Sequence, residues 1–137
     1  MAPFDVSVQV GPGYAVLAVS GELDLATGPQ LHESALRLTQ TGTSLLAVID
    51  GTDLQFIDST GIGLLVALWR RLEAGGGQLI FVNVQPAVAR TIQITGVDQI
   101  IPLQPLDGQP RRPWHDEGAD AAHVRAAFDV PAPVIRT

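Results

Sequence analysis

Three short polar side chains stand in a row at Asp58, Ser59 and Thr60, and the glycines Gly61 and Gly63 follow them. Aspartate and serine often cap the start of an α-helix, because their oxygens accept the unpaired N–H groups of the first turn. The segment therefore predicts a helix start with Asp58 or Ser59 as its cap. One cap needs only one such residue, so the cluster indicates a further role.

A hydroxyl at this position is suited to carrying a phosphate. The free N–H groups and the dipole of a helix start favour negative charge, so a phosphate on Ser59 is expected to stabilise the helix by about 0.3–1 kcal/mol. Up to two added charges beside Asp58 would repel an acidic partner surface and crowd a close-packed one. Regulation by phosphorylation would therefore act mostly at a binding surface.

Known catalytic motifs do not match this segment. A hydrolase elbow needs Gly-x-Ser-x-Gly, but Ile57 stands two positions before Ser59. An extra residue breaks the aspartic-protease motif, and the chain has no Gly-x-x-x-x-Gly-Lys phosphate loop. We therefore predict a protein that is not an enzyme. A small hydrolase stays an alternative if distant histidines approach Ser59 in space, and weak nucleotide binding at the helix start also stays open.

Metal ligands are few. The chain has no cysteine, which excludes disulfides and thiolate sites. His115, Asp116, Asp120 and His123 could in principle gather around a metal, but a solvated tail explains them better. We predict neither a metal site nor a cofactor.

The apolar pattern around the candidate site predicts an α/β domain with a mixed sheet and helices packed on it. Residues 45–49 are apolar throughout, which is typical of a strand buried on both faces. Residues 51–58 are expected to form a loop before the helix at 60–74, and its two glycines are expected to allow close packing. The predicted strands are residues 6–10, 14–19, 45–49, 78–82 and 100–101, and further helices begin near residues 28 and 86. The buried stripe of the helix at 60–74 is predicted to be Ile62, Leu65, Val66, Trp69 and Leu72.

The composition changes near the end of the chain, where prolines punctuate a polar stretch. We predict one domain at residues 1–106 and a Pro-rich C-terminal tail at 107–137 with a short helix near 120–128. Trp114 is a candidate anchor of this tail, and residues 131–137 are expected to be a loose end.

Composition and charge narrow the partner classes. The formal net charge of −6, with only 8 Lys and Arg, argues against direct nucleic-acid binding. The first residues lack the basic and apolar regions of a signal peptide, and the apolar run at 64–69 is too short to cross a membrane. A cytoplasmic protein without membrane insertion is expected.

Two segments in this order make the chain resemble a STAS domain, the anti-sigma factor antagonist fold of bacterial partner switching. They are residues 19–24, Val-Ser-Gly-Glu-Leu-Asp, and residues 56–63, Phe-Ile-Asp-Ser-Thr-Gly-Ile-Gly; the segments 85–88 and 95–97 support them. The resemblance spans residues 4–106. It implies an α/β fold with a mixed sheet of four to five strands and three to four packed helices.

The resemblance also implies a function. Ser59 would be phosphorylated by an anti-sigma factor with ATP-dependent serine kinase activity. The unphosphorylated antagonist would bind that anti-sigma factor and free the sigma factor, and a serine phosphatase would reset the cycle. The implied partner-binding residues are Asp24, Asp58, Ser59, Thr60 and Gly61. Relatives of this fold also serve in stressosomes, lipid-transport complexes and anion transporters, so the alternative is an adaptor whose Ser59 is never phosphorylated.

Overall fold

The structure, a computed structural model, describes residues 3–40, 42 and 44–133. These residues form a five-stranded sheet whose strands lie side by side in chain order. The strands are β1 (Asp5–Gly11), β2 (Tyr14–Leu23), β3 (Leu46–Ile57), β4 (Gln78–Val84) and β5 (Leu103–Pro105). The first pair, β1 and β2, is antiparallel and the other pairs are parallel, which confirms the predicted mixed sheet.

Three helices connect the parallel strands, and a fourth lies near the end of the chain. The helices are α1 (Gly28–Gln40), α2 (Ser59–Ala74), α3 (Pro86–Thr95) and α4 (Ala121–Ala127), with short 3₁₀ turns at Val97–Gln99 and Pro113–His115. Gly96 ends α3 in the left-handed conformation, with φ of 79°, where glycine meets no steric penalty. Within the described part of the chain, no helix combines the length and apolar character needed to span a bilayer.

Both faces of the sheet are buried. Along β3, residues 46–49 are at most 1% exposed, which confirms the two-sided burial predicted for this run. The face covered by α1, α2 and α3 carries Ala15, Leu17, Ala47, Ile49, Leu79 and Phe81. The opposite face carries Tyr14, Val16, Leu46, Val48, Ile80 and Val82.

The chain after β5 covers this opposite face. Trp114, Val124 and Phe128 pack on it and are at most 5% exposed. The rings of Trp114 and Phe128 stack with centroids 6.3 Å apart. The Ala121 N–H donates to the Pro12 carbonyl at 3.0 Å, so the start of α4 is also fixed to the turn between β1 and β2.

A buried polar cluster, which we call the Asp50–Asn83 clamp, holds this part of the chain to the sheet. Asn83 donates from Nδ2 to the Arg111 carbonyl at 2.9 Å, and its Oδ1 accepts the Arg111 N–H at 2.9 Å. Its Nδ2 also donates to Asp50 at 3.1 Å, and Arg112 donates to the same carboxylate from Nε at 3.4 Å. Asp50 and Asn83 are each 5% exposed, so the clamp satisfies polar groups that would otherwise be buried without partners.

The predicted loop at residues 51–58 is wrong, because β3 continues to Ile57. The extended end of β2 pairs with this stretch, with Ser20 opposite Asp53 and Leu23 opposite Ile57. Polar side chains between Gly51 and Ile57 hid the strand pattern. The backbone pairing with β2 sustains the strand despite those side chains.

Two smaller predictions also need correction. The stripe of α2 includes Leu68, which is 6% exposed, whereas Val66 and Trp69 are only half-buried at its margin. No strand forms at residues 100–101, because the Ile101 N–H donates to the Val97 carbonyl in a turn and the strand follows at β5. Ile101 is nevertheless 2% exposed, so its apolar character reflects burial.

Candidate functional site

The ends of two neighbouring strands position the candidate site. Leu23 and Ile57, the last residues of β2 and β3, are register partners. The Asp58 N–H donates to the Leu23 carbonyl at 3.1 Å, which extends the pairing by one step. Asp24 and Asp58 therefore leave the sheet side by side, and the two segments that the sequence analysis singled out meet at one edge.

Asp58, rather than Ser59, caps α2. Its backbone is extended, and its Oδ1 accepts the N–H groups of Thr60 at 2.9 Å and Gly61 at 3.1 Å. The Asp58 carbonyl accepts the N–H of Ile62 at 3.0 Å. Most donors of the first turn are thus paired with Asp58 itself.

Ser59 occupies the first helical position and is exposed. No described residue forms a hydrogen bond with its hydroxyl, since Asp58 already does the capping. A phosphate on this hydroxyl would find the N–H groups of Thr60 and Gly61 occupied. It would therefore add charge to the surface without much new bonding inside the domain.

Gly61 lets the first turn of α2 approach the strand ends closely. A Cβ atom at this position would lie 2.7 Å from Leu23 Cγ and 2.8 Å from Ile57 Cγ1, both shorter than real contacts allow. Gly63 is different, because a Cβ there would meet nothing within 4 Å. The expectation that Gly63 also serves close packing is wrong, since its position on α2 faces away from the sheet.

The turn at Asp24 is ordered by local hydrogen bonds. Its Oδ1 accepts the N–H groups of Ala26 at 2.9 Å and Thr27 at 3.1 Å. The Thr27 hydroxyl donates to the Glu22 carbonyl at 2.7 Å and accepts the Asp24 N–H at 3.0 Å. Asp24 thus orders its own loop through local hydrogen bonds.

The loop and the start of α2 lie against one another. A Cβ on Gly28 would lie 3.0 Å from Leu64 Cδ1 and 3.5 Å from Thr60 Cγ2, so the first turns of α1 and α2 are in contact. The structure thereby places Asp24, Asp58, Ser59, Thr60 and Gly61 in one region. Gly61 itself is buried and supports the surface from below.

Two exposed apolar residues adjoin this region along the chain, and the sequence analysis did not assign them a role. Leu25 follows Asp24 and is 75% exposed, and Phe56 lies three residues before Ser59 and is 47% exposed. Apolar residues beside ordered polar groups are typical of protein-binding surfaces. The signal in the sequence was their position, because Phe56 opens the segment 56–63 and Leu25 directly follows the segment 19–24.

The two segments that form the site are acidic and contain no basic residue. Residues 22–28 and 55–61 carry Glu22, Asp24 and Asp58 and no Lys or Arg. Such a surface suits a partner with polar or basic side chains. Neither segment offers a cation to hold the phosphates of a nucleotide.

The histidines of the chain do not assemble a reactive centre here. Three of the four tail residues considered as metal ligands have other partners. His123 Nε2 pairs with Asp116 Oδ2 at 2.8 Å, and Asp120 caps α4 by accepting the His123 N–H. Among the described residues, no three His, Cys, Asp or Glu side chains lie close enough to hold a metal ion. Nothing in this arrangement brings a histidine to Ser59 by a hydrogen bond.

Comparison with known families identifies the domain. Residues 5–106 match the model of the STAS domain. The chain belongs to the STAS domain family. The matched range includes β1 to β5 and both segments of the candidate site, and it ends before the part of the chain that covers the second face of the sheet.

Similar proteins include several anti-sigma factor antagonists. The chain is 31% identical over 91 residues to the anti-sigma-B factor antagonist of Listeria monocytogenes, covering 66% of this chain and 79% of that protein. An anti-sigma factor antagonist from Mycobacterium paratuberculosis has a similar structure, with 30% identity, a TM-score of 0.65 and coverage of 75% and 86% of the two chains. The antagonist SpoIIAA in its unphosphorylated form matches with 26% identity, a TM-score of 0.62 and coverage of 74% and 87%.

Proposed function

We propose that this chain is an anti-sigma factor antagonist that binds an anti-sigma factor with serine kinase activity and is released when Ser59 is phosphorylated. The observation that carries the proposal is the division of roles at the start of α2. Asp58 caps the helix, and the adjacent Ser59 hydroxyl is exposed and accepts or donates no hydrogen bond among the described residues. A kinase can reach such a hydroxyl without unfolding the helix.

Binding would use the surface around Ser59. Leu25 and Phe56 supply exposed apolar area beside it, and Asp24 and Asp58 supply fixed acidic groups. The relatives named as anti-sigma factor antagonists support an anti-sigma factor as the partner. In this role the chain acts by occupying its partner and thereby freeing a sigma factor, and a separate serine phosphatase would restore the binding form.

Release would come mainly from crowding and desolvation. The surface is already acidic, so its partner is expected to present polar or basic groups, and a new charge at Ser59 acts chiefly because it must be desolvated within the contact. A phosphate in a close-packed contact must lose its water without gaining donors from α2, since Asp58 occupies them. The modification therefore acts at the interface and leaves the fold unchanged.

The test combines phosphosite mapping with binding measurements. The purified chain is incubated with its candidate anti-sigma factor and ATP, and phosphate is mapped by mass spectrometry in the natural sequence and in Ser59→Ala. We expect phosphate on Ser59 only. Ser59→Ala should bind the anti-sigma factor permanently, and Ser59→Asp should fold but bind poorly.

Two controls separate charge from other effects. Ser59→Asn matches Ser59→Asp in size without the charge, and Ser44→Asp adds the same charge to an exposed serine just before β3, at the opposite end of that strand from Ser59. Ser44→Asp is expected to bind normally. Full binding by Ser59→Asp would show that charge at Ser59 is not the switch, and a persistently unmodified Ser59 would favour a constitutive STAS adaptor.

A further inference from the structure

The outer edge of β1 is open. This strand lies at one end of the sheet, and its backbone pairs with no described strand other than β2. Five of its seven residues are exposed. An edge of this kind presents a row of unpaired N–H and C=O groups that can pair with another strand.

Features that normally protect such an edge are missing here. Residues 6–10 contain no charged residue and no proline, and the pairing of β1 with β2 has no bulge. Val8 is 46% exposed and Val10 is 72% exposed. Natural proteins usually place lysine, proline or a bulge at such positions to prevent association.

The apolar side chains of β1 lie on one face of the sheet, and the polar side chains of Ser7 and Gln9 lie on the other. Val6, Val8 and Val10 stand opposite Val19, Leu17 and Ala15, which all belong to the core under α1, α2 and α3. The three valines therefore lie at the margin of the helix-covered face. Val6 is half-buried there, whereas Val8 and Val10 are exposed. Ser7 and Gln9 lie on the other face, where Gln9 donates to the Trp114 carbonyl at 3.1 Å.

We propose that β1 is a homodimerisation edge, at which the β1 strand of a second copy of this chain pairs antiparallel with it. The two-fold axis passes between the two Val8 residues. In this register Val8 faces Val8, Val6 faces Val10, and Ser7 faces Gln9 of the other copy. The single charge of the strand, Asp5, faces Gly11 and does not meet another carboxylate. The strand is thus self-complementary in apolar character, polarity and charge, which an isologous two-fold interface requires.

This pairing joins two five-stranded sheets into one continuous sheet. Because an antiparallel pair is related by an axis perpendicular to the sheet, both helix-covered faces lie on the same side. Ser59 follows β3, two strands away from the edge, so both copies keep that site accessible. A single strand pair buries less than the roughly 1,200 Å² of the smallest stable interfaces, so the dimer is expected to be weak and dependent on concentration.

Sedimentation velocity across a concentration series tests the proposal with the full chain. The natural sequence should shift from monomer to dimer as concentration rises. Val10→Lys should weaken the dimer at least about tenfold, because the lysine acts at both Val10–Val6 contacts. Ile94→Lys changes a β-branched residue of similar exposure on α3, at 79% against 72% for Val10, and should leave the dimer unchanged.

Single-cysteine variants test the register, since the chain has no cysteine of its own. In Val8→Cys the two Cα atoms lie about 4.5–5.5 Å apart, within disulfide reach, so oxidation should yield a covalent dimer. In Val10→Cys the two positions lie about 13 Å apart, so no dimer should form. A monomer at every concentration, equal effects of Val10→Lys and Ile94→Lys, or equal cross-linking of both cysteine variants would each overturn the proposal.

Discussion

On one face of the sheet the cover consists of three helices, and on the other it consists of the chain that follows β5. The helices are the connections between parallel strands, so the chain path itself brings them back onto the sheet. The second cover follows β5 and, among the described residues, does not return to another strand; the one α-helix described in it is the short α4. Chain connectivity thus positions the first cover far more tightly than the second.

The two covers differ accordingly in how they are held. The helix-covered face is almost wholly apolar, whereas the opposite face has a few large apolar anchors and the Asp50–Asn83 clamp at its border. Hydrogen bonds are directional and apolar contacts are not. A cover that the chain path does not position therefore needs hydrogen bonds to fix one arrangement. The Arg111 guanidinium, 4.8 Å from the centroid of the Phe128 ring, further restricts the arrangement of this cover.

The first prediction tests whether the second cover belongs to the cooperative fold. Phe128→Ala should lower the free energy of unfolding by about 3–5 kcal/mol, because the ring is 1% exposed and leaves a cavity. Chemical denaturation measures the loss. Phe56→Ala, which removes a ring that is 47% exposed, serves as the control and should change stability little. A loss below about 1 kcal/mol for Phe128→Ala would mean that this cover unfolds independently.

The second prediction applies the same measurement to the helix-covered face. Leu65→Ala should cost about 2–5 kcal/mol, because this α2 side chain is 2% exposed in the core. Leu25→Ala is the matched control, since Leu25 is 75% exposed. Full stability after Leu65→Ala would show that α2 does not pack on the sheet by this face. Single, coincident transitions for Leu65→Ala and Phe128→Ala would show that both covers melt together.

The sequence predicted the helix-covered face better than the other, for a physical reason. Its helices repeat apolar residues every three to four positions, and Asp58 with Gly61 marks the start of α2. The continuous run at residues 45–49 also predicted that this strand is buried on both faces. The second cover was predicted only in part. Trp114 was a candidate anchor and a short helix was expected near residues 120–128, but prolines and polar residues separate Trp114 from that helix, so no continuous pattern showed which face of the sheet they cover.

The candidate site was predicted in the same uneven way. The polar residues were recognisable because few arrangements explain aspartate, serine and threonine together. The second half of β3 was missed, since its register with β2 depends on backbone pairing between residues that are thirty or more positions apart. Leu25 and Phe56 were overlooked because exposure is a property of the folded surface.

The third prediction tests the clamp. Asn83→Ala removes both hydrogen bonds to the Arg111 backbone and leaves Asp50 without one donor, so a loss of about 1–3 kcal/mol is expected. Asn83 has a φ of 54°, in the left-handed region, and alanine is strained there. Asn83→Gly is the control, because glycine adopts this conformation freely but also lacks the amide. Equal losses in both variants would assign the effect to the hydrogen bonds, and wild-type stability in both would refute the clamp.

The last prediction concerns Gly61, where the first turn of α2 packs against the ends of β2 and β3. Gly61→Ala places a Cβ 2.7 Å from Leu23 Cγ, so the first turn of α2 must shift, at a cost of about 1–3 kcal/mol from overpacking. Gly63→Ala adds the same methyl group two residues later, where nothing lies within 4 Å, and should stabilise α2 by up to about 1 kcal/mol through helix propensity. Thermal unfolding of the two variants measures the contrast. Because Gly61 supports Asp58 and Ser59 from below, its substitution should also weaken partner binding, whereas Gly63→Ala should alter stability alone. Equal stabilisation by both substitutions would show that α2 does not rest on the ends of β2 and β3 at Gly61.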